Sequence, residues 1–327
     1  MTKAIALLSG GLDSILAVKV IQEQGVEVIG IVFVTPFFSD KAARKAVEQL
    51  GIALEVIDIT EDYLEMLPNP KHGHGGNMNP CIDCHAMMMR KAGEMLERLG
   101  ASFIITGEVL GERPMSQSPR GLDLVEADSG LEGYILRPLS AKLLEPTIPE
   151  KEGLVDRERL LDIHGRSRKR QFELAKYYDL KEYPTPAGGC LLTDPGFSKR
   201  LRELMQYPNE YQVNDLELLK VGRHFRAPSL HRIVVGRNKD ENQIIRELAT
   251  EKDLLLQVAE YPGPVTLIRG QGDLDTINLA ASLTVRYSDG KDKGGVQVKI
   301  QKNTGEEILE GVLPLEQEKI EDLIIGK

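Results

Sequence analysis

The three cysteines are the side chains of this sequence with the most specific chemistry. Two of them form Cys81-Ile-Asp-Cys84 and the third is Cys190. So few cysteines exclude a disulfide-braced scaffold, and their spacing favours metal binding or thiol chemistry in a reducing compartment. Three thiolates can hold a [4Fe-4S] cluster through three of its irons, which leaves the fourth iron open to a sulfide.

Two other uses of the cysteines stay open. A structural Zn²⁺ site would take the three thiolates together with one histidine as the fourth ligand. The candidate histidines are His72, His74 and His85. Alternatively, Cys84 and Cys190 form a persulfide and disulfide pair, with Cys81 as a bystander. Of these three hypotheses we favour the cluster.

A glycine-rich loop, Leu8-Ser-Gly-Gly-Leu-Asp-Ser14, suggests a second kind of chemistry. It follows an apolar strand and opens a helix, whose first N–H groups and positive dipole end suit a pyrophosphate. Asp13 fits such a site if it shares Mg²⁺ with the phosphates. The Walker signature is absent. The alternative is a tight turn capped by Ser9 or Asp13.

Charge supplies a third observation. The chain carries a net charge of −9, which disfavours a general nucleic-acid coat, so RNA contacts must come from local basic patches. One such patch is the run Arg166-Ser-Arg-Lys-Arg170, which could pair with RNA phosphates or form a solvated helix face.

The elements that position these residues follow an α/β pattern. We predict strands at 3–8, 27–33, 53–57 and 102–106, and helices at 13–24, 40–50 and 84–99. This alternation indicates right-handed βαβ units in a doubly wound, mostly parallel sheet. We also expect helical structure from Arg137 to Tyr178.

Length and composition predict two domains in a soluble chain. For 327 residues, 41% of them hydrophobic, we expect an α/β domain at 1–206 and a smaller α+β domain at 207–327. In the second we predict strands at 217–221, 233–235 and 296–300, and helices at 240–247 and 273–283. The apolar runs are too short for a membrane span or an export signal, which favours a cytoplasmic location.

The glycine-rich loop resembles the PP-loop of the ATP pyrophosphatase superfamily, which attaches AMP to a carbonyl or carboxyl oxygen. Two further segments, Ile104-Ile-Thr-Gly-Glu-Val-Leu-Gly111 with Ser116-Gln117, and Ile135-Leu-Arg-Pro-Leu139, are similar to tRNA 4-thiouridine synthetases. Val34-Thr-Pro-Phe-Phe38 resembles the segment that packs against adenine. The resemblance implies ATP and Mg²⁺ as cofactors, bound by Leu8, Ser9, Gly10, Gly11, Asp13, Ser14, Phe33, Thr106 and Gly107.

The cysteine segments also resemble a known pattern. Asn79-Pro-Cys-Ile-Asp-Cys84 and Gly188-Gly-Cys190 are similar to the tRNA 2-thiouridylases, which commonly have Asp where this chain has Cys81. A CxxC with a distant cysteine is similar to the [4Fe-4S] site of related thiolases. The resemblance implies Asp13, Cys84 and Cys190 as catalytic residues and all three cysteines as metal ligands.

Lys220-Val-Gly-Arg-His-Phe-Arg226 and Val235-Gly-Arg-Asn238 resemble the NFACT-R RNA-binding module. No THUMP domain precedes the PP-loop, so we expect this module to recognise RNA. The RNA contacts we predict are Arg166, Arg168, Lys169, Arg170, Arg223, Arg226 and Arg237.

Together these resemblances imply an ATP-dependent sulfurtransferase that adenylates a tRNA uridine carbonyl and gives thiouridine, with 4-thiouridine slightly favoured over 2-thiouridine. Sulfur would come from a cysteine desulfurase or from free sulfide. The alternatives are an adenylating amidase or synthetase with a structural Zn²⁺ site, and an RNA-binding regulatory protein.

Overall fold

The computed structural model describes residues 2–184, 190–207 and 211–326. It divides into two compact units, Met1–Thr193 and Asp194–Lys327, whereas the predicted domain boundary falls between residues 206 and 207. Two predicted features, the Gly188-Gly189 pair and residues 208–210 of the boundary segment, lie outside the described residues.

The first unit alternates strands and helices as predicted. Its elements are β1 (Lys3–Leu7), α1 (Leu12–Gln22), β2 (Glu27–Val34), α2 (Lys41–Leu50), β3 (Leu54–Asp58), α3 (Thr60–Met66), α4 (Cys81–Gly93), α5 (Leu96–Leu99), β4 (Phe103–Thr106), α6 (Pro119–Ser129), β5 (Ile135–Leu136), α7 (Ile148–Lys151) and α8 (Lys169–Tyr177).

These strands form a parallel sheet in the order β3-β2-β1-β4-β5 among the described residues. Central strands are buried on both faces, as continuous apolar runs require. Ile5 of β1 and Ile104 of β4 are fully buried and lie opposite each other in register. The prediction of an α/β fold is confirmed.

The prediction of helical structure from Arg137 to Tyr178 is wrong for most of that segment. It contains two short 3₁₀ turns at Ala141–Leu143 and Arg157–Arg159, the four-residue α7, and α8. Pro138, Pro146 and Pro149 interrupt it, because proline removes the N–H that a helix interior needs. The predicted helix at 84–99 instead begins at Cys81 and is divided between α4 and α5.

The second unit carries a separate sheet. Its elements are α9 (Pro195–Leu204), α10 (Val213–Leu218), β6 (Arg223–Arg226), β7 (Arg232–Val235), α11 (Lys239–Leu248), β8 (Leu254–Val258), β9 (Thr266–Ile268), α12 (Leu274–Arg286), β10 (Val296–Lys302), β11 (Gly305–Val312), α13 (Gln317–Leu323) and β12 (Ile324–Ile325).

Its strands pair antiparallel in the order β11-β10-β8-β9-β7-β6-β12 within the described ranges. The α+β prediction is confirmed, but the strand predicted at 217–221 is wrong. Those residues follow and overlap α10, whose start is fixed by Gln212 N–H donating to the Asp215 carboxylate. Leu216 and Leu219 are both buried at helical spacing. In the described part of the chain, no helix combines the length and apolarity that a membrane crossing requires.

Candidate nucleotide and thiol site

The glycine-rich loop lies at the point where the first sheet changes direction. It follows β1, which pairs with β2 on one side and β4 on the other, so loops leaving β1 and β4 diverge there. Open parallel sheets bind ligands at this position, at the carboxyl ends of the strands. The topology therefore places Ser9–Ser14 and the Thr106-Gly107 segment at the same crevice.

Two glycines allow the backbone to pack closely at this crevice. Gly10 has φ +78°, and a Cβ on it would lie 2.3 Å from the carbonyl carbon of Ala42 in α2. A Cβ on Gly107 would lie 2.4 Å from the backbone nitrogen of Ser14. No other residue type fits either position without moving backbone. The loop is thus wedged between the start of α2 and the end of β4.

Hydrogen bonds within the loop involve its serines rather than the start of the helix. Gly11 N–H donates to Ser9 Oγ at 3.2 Å, and Ser14 Oγ donates to the Gly11 carbonyl at 2.8 Å. Among the described residues, no side chain caps the N-terminus of α1. The bond from Gly11 N–H to Ser9 Oγ is of the kind that the alternative of a tight turn capped by Ser9 predicts, so that alternative stays open. An N-terminus without a side-chain cap suits an anion, which the helix dipole favours.

Asp13 lies in a partly buried group of charges. Its Oδ2 accepts a hydrogen bond from Arg168 Nη2 at 2.8 Å. Desolvation raises the pKa of Asp13, even though Arg168 opposes that rise. Its Oδ1 is buried and has no hydrogen-bond partner within the described residues. A carboxylate oxygen of this kind suits Mg²⁺, so Asp13 fits the predicted role of metal ligand.

The basic run at 166–170 divides into two parts. Arg166 and Lys169 are exposed, and Arg170 pairs with Asp162 at 2.6 Å at a largely exposed position. Arg168 instead turns toward the loop, with a side chain only 16% exposed. The sequence pattern gave no sign of this difference, because the packing of α8 against α1 decides which residue points inward.

The other residues predicted to bind the nucleotide lie on two strands of the first sheet. Phe33 is buried in β2, while Thr106 is buried at the end of β4, with its hydroxyl 3.3 Å from Glu108 Oε2. The segment after β2 forms an aromatic cluster in which Phe37 and Phe38 both contact the ring of Tyr63, with centroid distances of 5.6 Å and 5.5 Å. Tyr63 is thus part of the aromatic cluster beside the segment predicted to pack against adenine, and the sequence analysis did not identify it.

Hydrogen bonds join the two distant segments that carry the cysteines. Cys81 and Cys84 occupy the first turn of α4, three residues apart on one side of the helix. The loop before them holds the segment that follows Cys190: Met78 N–H donates to the Leu192 carbonyl at 3.2 Å, and Asn77 Nδ2 donates to the Thr193 carbonyl at 2.8 Å.

Electrostatics shows that the three thiols share one neighbourhood. Burial raises the pKa of Cys84 to about 12, with further contributions from the charges of Cys190 and Cys81 and an opposing hydrogen bond from Tyr63. Desolvation also raises the pKa of the Cys190 thiol, although the residue as a whole is exposed. The donor set fits a soft metal or cluster. In the described residues, however, no group of three His, Cys, Asp or Glu has ligating spacing.

The three histidines weighed as zinc ligands each have another partner. His72 Nε2 lies 2.6 Å from Asp128, and His74 Nε2 lies 2.8 Å from the Leu67 carbonyl. His85 Nδ1 lies 2.8 Å from Glu108 Oε1. Recruiting any of them to a metal would require it to leave that partner.

Glu108 forms a buried ion pair that connects two of the sequence motifs. Arg137 Nε donates to its Oε2 at 3.0 Å, and both side chains are at least nine-tenths buried. Burial by itself would raise the pKa of Glu108, but Arg137 and His85 lower it to about 2. Glu108 therefore connects two parts of the site. The residue before it, Gly107, packs on the glycine-rich loop Ser9–Ser14, which we call the phosphate loop. Its carboxylate binds His85, the residue that follows Cys84.

In the second unit the arginines predicted to bind RNA have partners of their own. Arg226 pairs with Glu203 and lies over the Tyr207 ring at 5.1 Å. Arg237 Nε donates to Glu241 at 2.8 Å. Arg223 lies 4.4 Å over the Tyr287 ring. Their role in RNA binding stays a prediction, and it would depend on guanidinium groups that already pair with carboxylates or rings.

Known proteins resemble both units. Residues 1–142 match the family model of the thiamine biosynthesis protein ThiI, and residues 222–324 match the NFACT protein RNA binding domain. The tRNA-specific 2-thiouridylase MnmA of Sulfurimonas denitrificans is 26% identical over 279 residues, 75% of this chain and 75% of that protein.

Two further likenesses are shorter or more distant. MnmA 2 of a Thermoanaerobacter species is 30% identical over 161 residues, 42% of this chain and 44% of that protein. The crystal structure of a 4-thiouridine synthetase–RNA complex with bound ATP is 23% identical with a TM-score of 0.39, covering 67% of this chain and 52% of that one. The family matches confirm the resemblances inferred for both parts of the sequence.

Proposed function

We propose that this chain is a cytoplasmic, ATP-dependent tRNA sulfurtransferase, because residues 1–142 match the family model of ThiI and residues 222–324 match the NFACT protein RNA binding domain. The observation that carries the proposal is the link through Glu108. The residue before it packs on the phosphate loop, and its carboxylate binds the histidine next to Cys84. Adenylation and sulfur delivery thus have adjacent places in one unit.

The first step activates the uridine. The Ser9–Ser14 loop and the uncapped start of α1 hold the triphosphate, with Asp13 as a ligand of Mg²⁺. The uridine carbonyl oxygen attacks the α-phosphorus of ATP, and the bond to the β-phosphate oxygen breaks to release pyrophosphate. The base then carries AMP on that oxygen, which makes it a good leaving group.

The second step replaces oxygen by sulfur. A hydrosulfide equivalent adds to the activated carbon, and AMP leaves with the former carbonyl oxygen, so the net change involves no oxidation. A [4Fe-4S] cluster on Cys81, Cys84 and Cys190 would supply an open iron site for such a sulfide. This is the route we favour among the three hypotheses for the cysteines.

A persulfide route has a different electron balance. The terminal sulfur of a Cys84 persulfide attacks the activated carbon, and AMP leaves with the former carbonyl oxygen. The Cys190 thiolate then attacks the Cys84 sulfur and breaks the S–S bond, which leaves the outer sulfur on the base as thiouridine. This leaves a Cys84–Cys190 disulfide, which a two-electron thiol reductant must open before the next cycle. The raised pKa of both thiols weighs against any route that needs them as thiolates, so it does not separate the persulfide from the cluster.

Which carbonyl is thiolated follows from the motifs rather than from the contacts. The TGE and LRPL segments favour 4-thiouridine, and their Glu108 and Arg137 pair with each other in the core. The spacing from Asn79-Pro80 to Cys84 favours 2-thiouridine. We place 4-thiouridine first. The donor of sulfur is a cysteine desulfurase or free sulfide.

The test uses the full chain purified without oxygen and assayed for iron, labile sulfide and zinc. It is then incubated with ATP, Mg²⁺, sulfide and unmodified tRNA. We expect AMP and thiouridine in equal amounts, with thiouridine lost in Cys84→Ser and both products lost in Asp13→Asn. AMP without thiouridine in the wild type would overturn sulfur transfer and favour the adenylating amidase or synthetase. Zinc without iron would overturn the cluster.

A further inference from the structure

Within the basic run 166–170, Arg168 is the residue whose side chain contacts the phosphate loop. It stands immediately before α8, and its Nη2 donates to Asp13 Oδ2 at 2.8 Å. Its Nη1 lies 3.8 Å from Glu112 Oε1, a distance too long for a hydrogen bond, and its Nε has no partner among the described residues. A nearly buried guanidinium thus has donors to spare beside the loop.

Other atoms in the same group also lack partners. Asp13 Oδ1 and Gln171 Oε1 are buried without a hydrogen bond in the part of the chain that the structure describes. Gln171 is fully buried one turn along α8, and its Nε2 lies 3.4 Å from Glu112. Buried polar atoms rarely remain unpaired, and three in one cluster of this size indicate a site that a polar ligand completes.

The charges of the cluster indicate which ligand. Two carboxylates, Asp13 and Glu112, lie beside the Arg168 guanidinium, and the charge of Arg113 acts on both from beyond ion-pair distance. Desolvation, followed by the nearby charge of Asp13, raises the pKa of Glu112. A divalent cation would satisfy the carboxylates, and an oxyanion would satisfy the guanidinium. A magnesium–triphosphate complex brings both at once.

We propose that Arg168 is a phosphate-binding residue of the nucleotide site: it pairs with Asp13 until a magnesium–triphosphate arrives, and then exchanges that carboxylate for a triphosphate oxygen while Asp13 binds the metal. The proposal rests on the proposed use of ATP. It removes Arg168 from the predicted RNA surface, which keeps Arg166, Lys169 and Arg170. A guanidinium suits this exchange because its planar donors fit two phosphate oxygens together.

The test measures binding rather than turnover. The full chain is titrated by calorimetry with α,β-methylene-ATP and Mg²⁺, and separately with AMP. Arg168→Ala should weaken binding of the triphosphate by about tenfold to a hundredfold, as loss of a charge-assisted contact implies, and change AMP binding less than about twofold. The triphosphate affinity of Arg168→Lys should lie between those of the wild type and Arg168→Ala. The matched control is Arg98→Ala, an arginine that is 58% exposed and paired with Glu55, which should bind like the wild type.

The outcomes separate this inference from the proposed function. If the wild type binds no magnesium–triphosphate, the proposed function fails as well. If the wild type binds and Arg168→Ala binds equally well or more tightly, only the inference is wrong. Equal losses for AMP and the triphosphate would mean a structural role. Arg168→Lys serves as the folded variant if the alanine variant does not fold, and lost tRNA affinity with intact nucleotide binding would return Arg168 to the RNA surface.

Discussion

Different kinds of contact position the phosphate loop and the cysteine group. The loop consists of six consecutive residues, and its shape is imposed by glycines that let backbone contact backbone. The cysteine group draws its thiols from two distant segments, joined by contacts such as the 2.8 Å bond from Asn77 to Thr193. One site is built by steric fit and the other by a small number of polar bonds.

This difference teaches where each site is vulnerable. A site built by backbone contact tolerates almost no added volume, because interiors are close-packed. In a site built by a few hydrogen bonds, the loss of one bond lowers the free energy of unfolding by only about 1 kcal/mol. It also changes how the two segments are positioned relative to each other. Glu108 lies between the two sites, so its loss should affect both.

The largest effect is expected for Glu108→Gln. The substitution leaves Arg137 buried beside a neutral partner, which should lower the free energy of unfolding by about 3–5 kcal/mol. Glu126→Gln is the matched control, because Glu126 binds the same Arg137 from a position that is 23% exposed. Its cost should be clearly smaller. Urea unfolding of both variants measures this, and equal losses would show that burial of Glu108 is not what matters.

The same variant tests a pH dependence. Since the folded pKa of Glu108 is about 2 and its ordinary value is 4.5, its ionised form stabilises the fold above pH 4.5. That contribution is lost as the pH falls from about 4.5 toward 2. The stability curve of Glu108→Gln should therefore approach the wild-type curve across this range. Parallel curves would contradict the depressed pKa.

The next effect is expected at the loop alone, for Gly10→Ala. The new Cβ meets the Ala42 backbone, and the left-handed backbone conformation is strained for alanine, so we expect about 2–4 kcal/mol of lost stability. Binding of ATP should weaken with it. Gly25→Ala is the control: Gly25 has φ +77° but nothing within 4 Å of the added Cβ. It should cost only the conformational part, about 1 kcal/mol, and an equal loss in urea unfolding would contradict the steric fit.

The smallest effect on stability is expected for Asn77→Ala, about 1 kcal/mol for one hydrogen bond. Its larger consequence should be on the approach of Cys190 to Cys84. In a Cys81→Ser background, mild oxidation should close the Cys84–Cys190 disulfide severalfold more slowly, while ATP affinity stays unchanged. Asn69→Ala, at an exposed position of the same loop, is the control. An unchanged rate would mean that other contacts hold the two segments together.

The sequence predicted what depends on local pattern. The strands of the first sheet, the two-glycine loop and the early elements follow from apolar periodicity and from residues that begin or end helices. It failed where packing decides. Arg168 and Arg170 are equivalent in the run, yet only Arg168 turns inward. Residues 217–221 alternate well enough for a strand, but a capped helix buries their leucines.

Partners across the chain were also beyond the sequence. His72, His74 and His85 suggested ligands by their density, whereas each binds a separate acceptor that the fold brings to it. Tyr63 had no motif to mark it, since its role depends on meeting Cys84 and two phenylalanines in space. Such contacts require knowing which elements pack together.

The bonds from Asn77 and Met78 to residues 192 and 193 also set an order of events during synthesis. Contacts between segments so far apart form late, because the intervening chain must first be made and its closure entropy overcome. The phosphate loop, by contrast, needs little beyond the elements around β1 and β4. Cys81 and Cys84 therefore leave the ribosome well before their third partner. Cys190 lies three residues before the end of the first unit, so a cargo that needs all three thiols can bind only after nearly the whole of that unit has been synthesised.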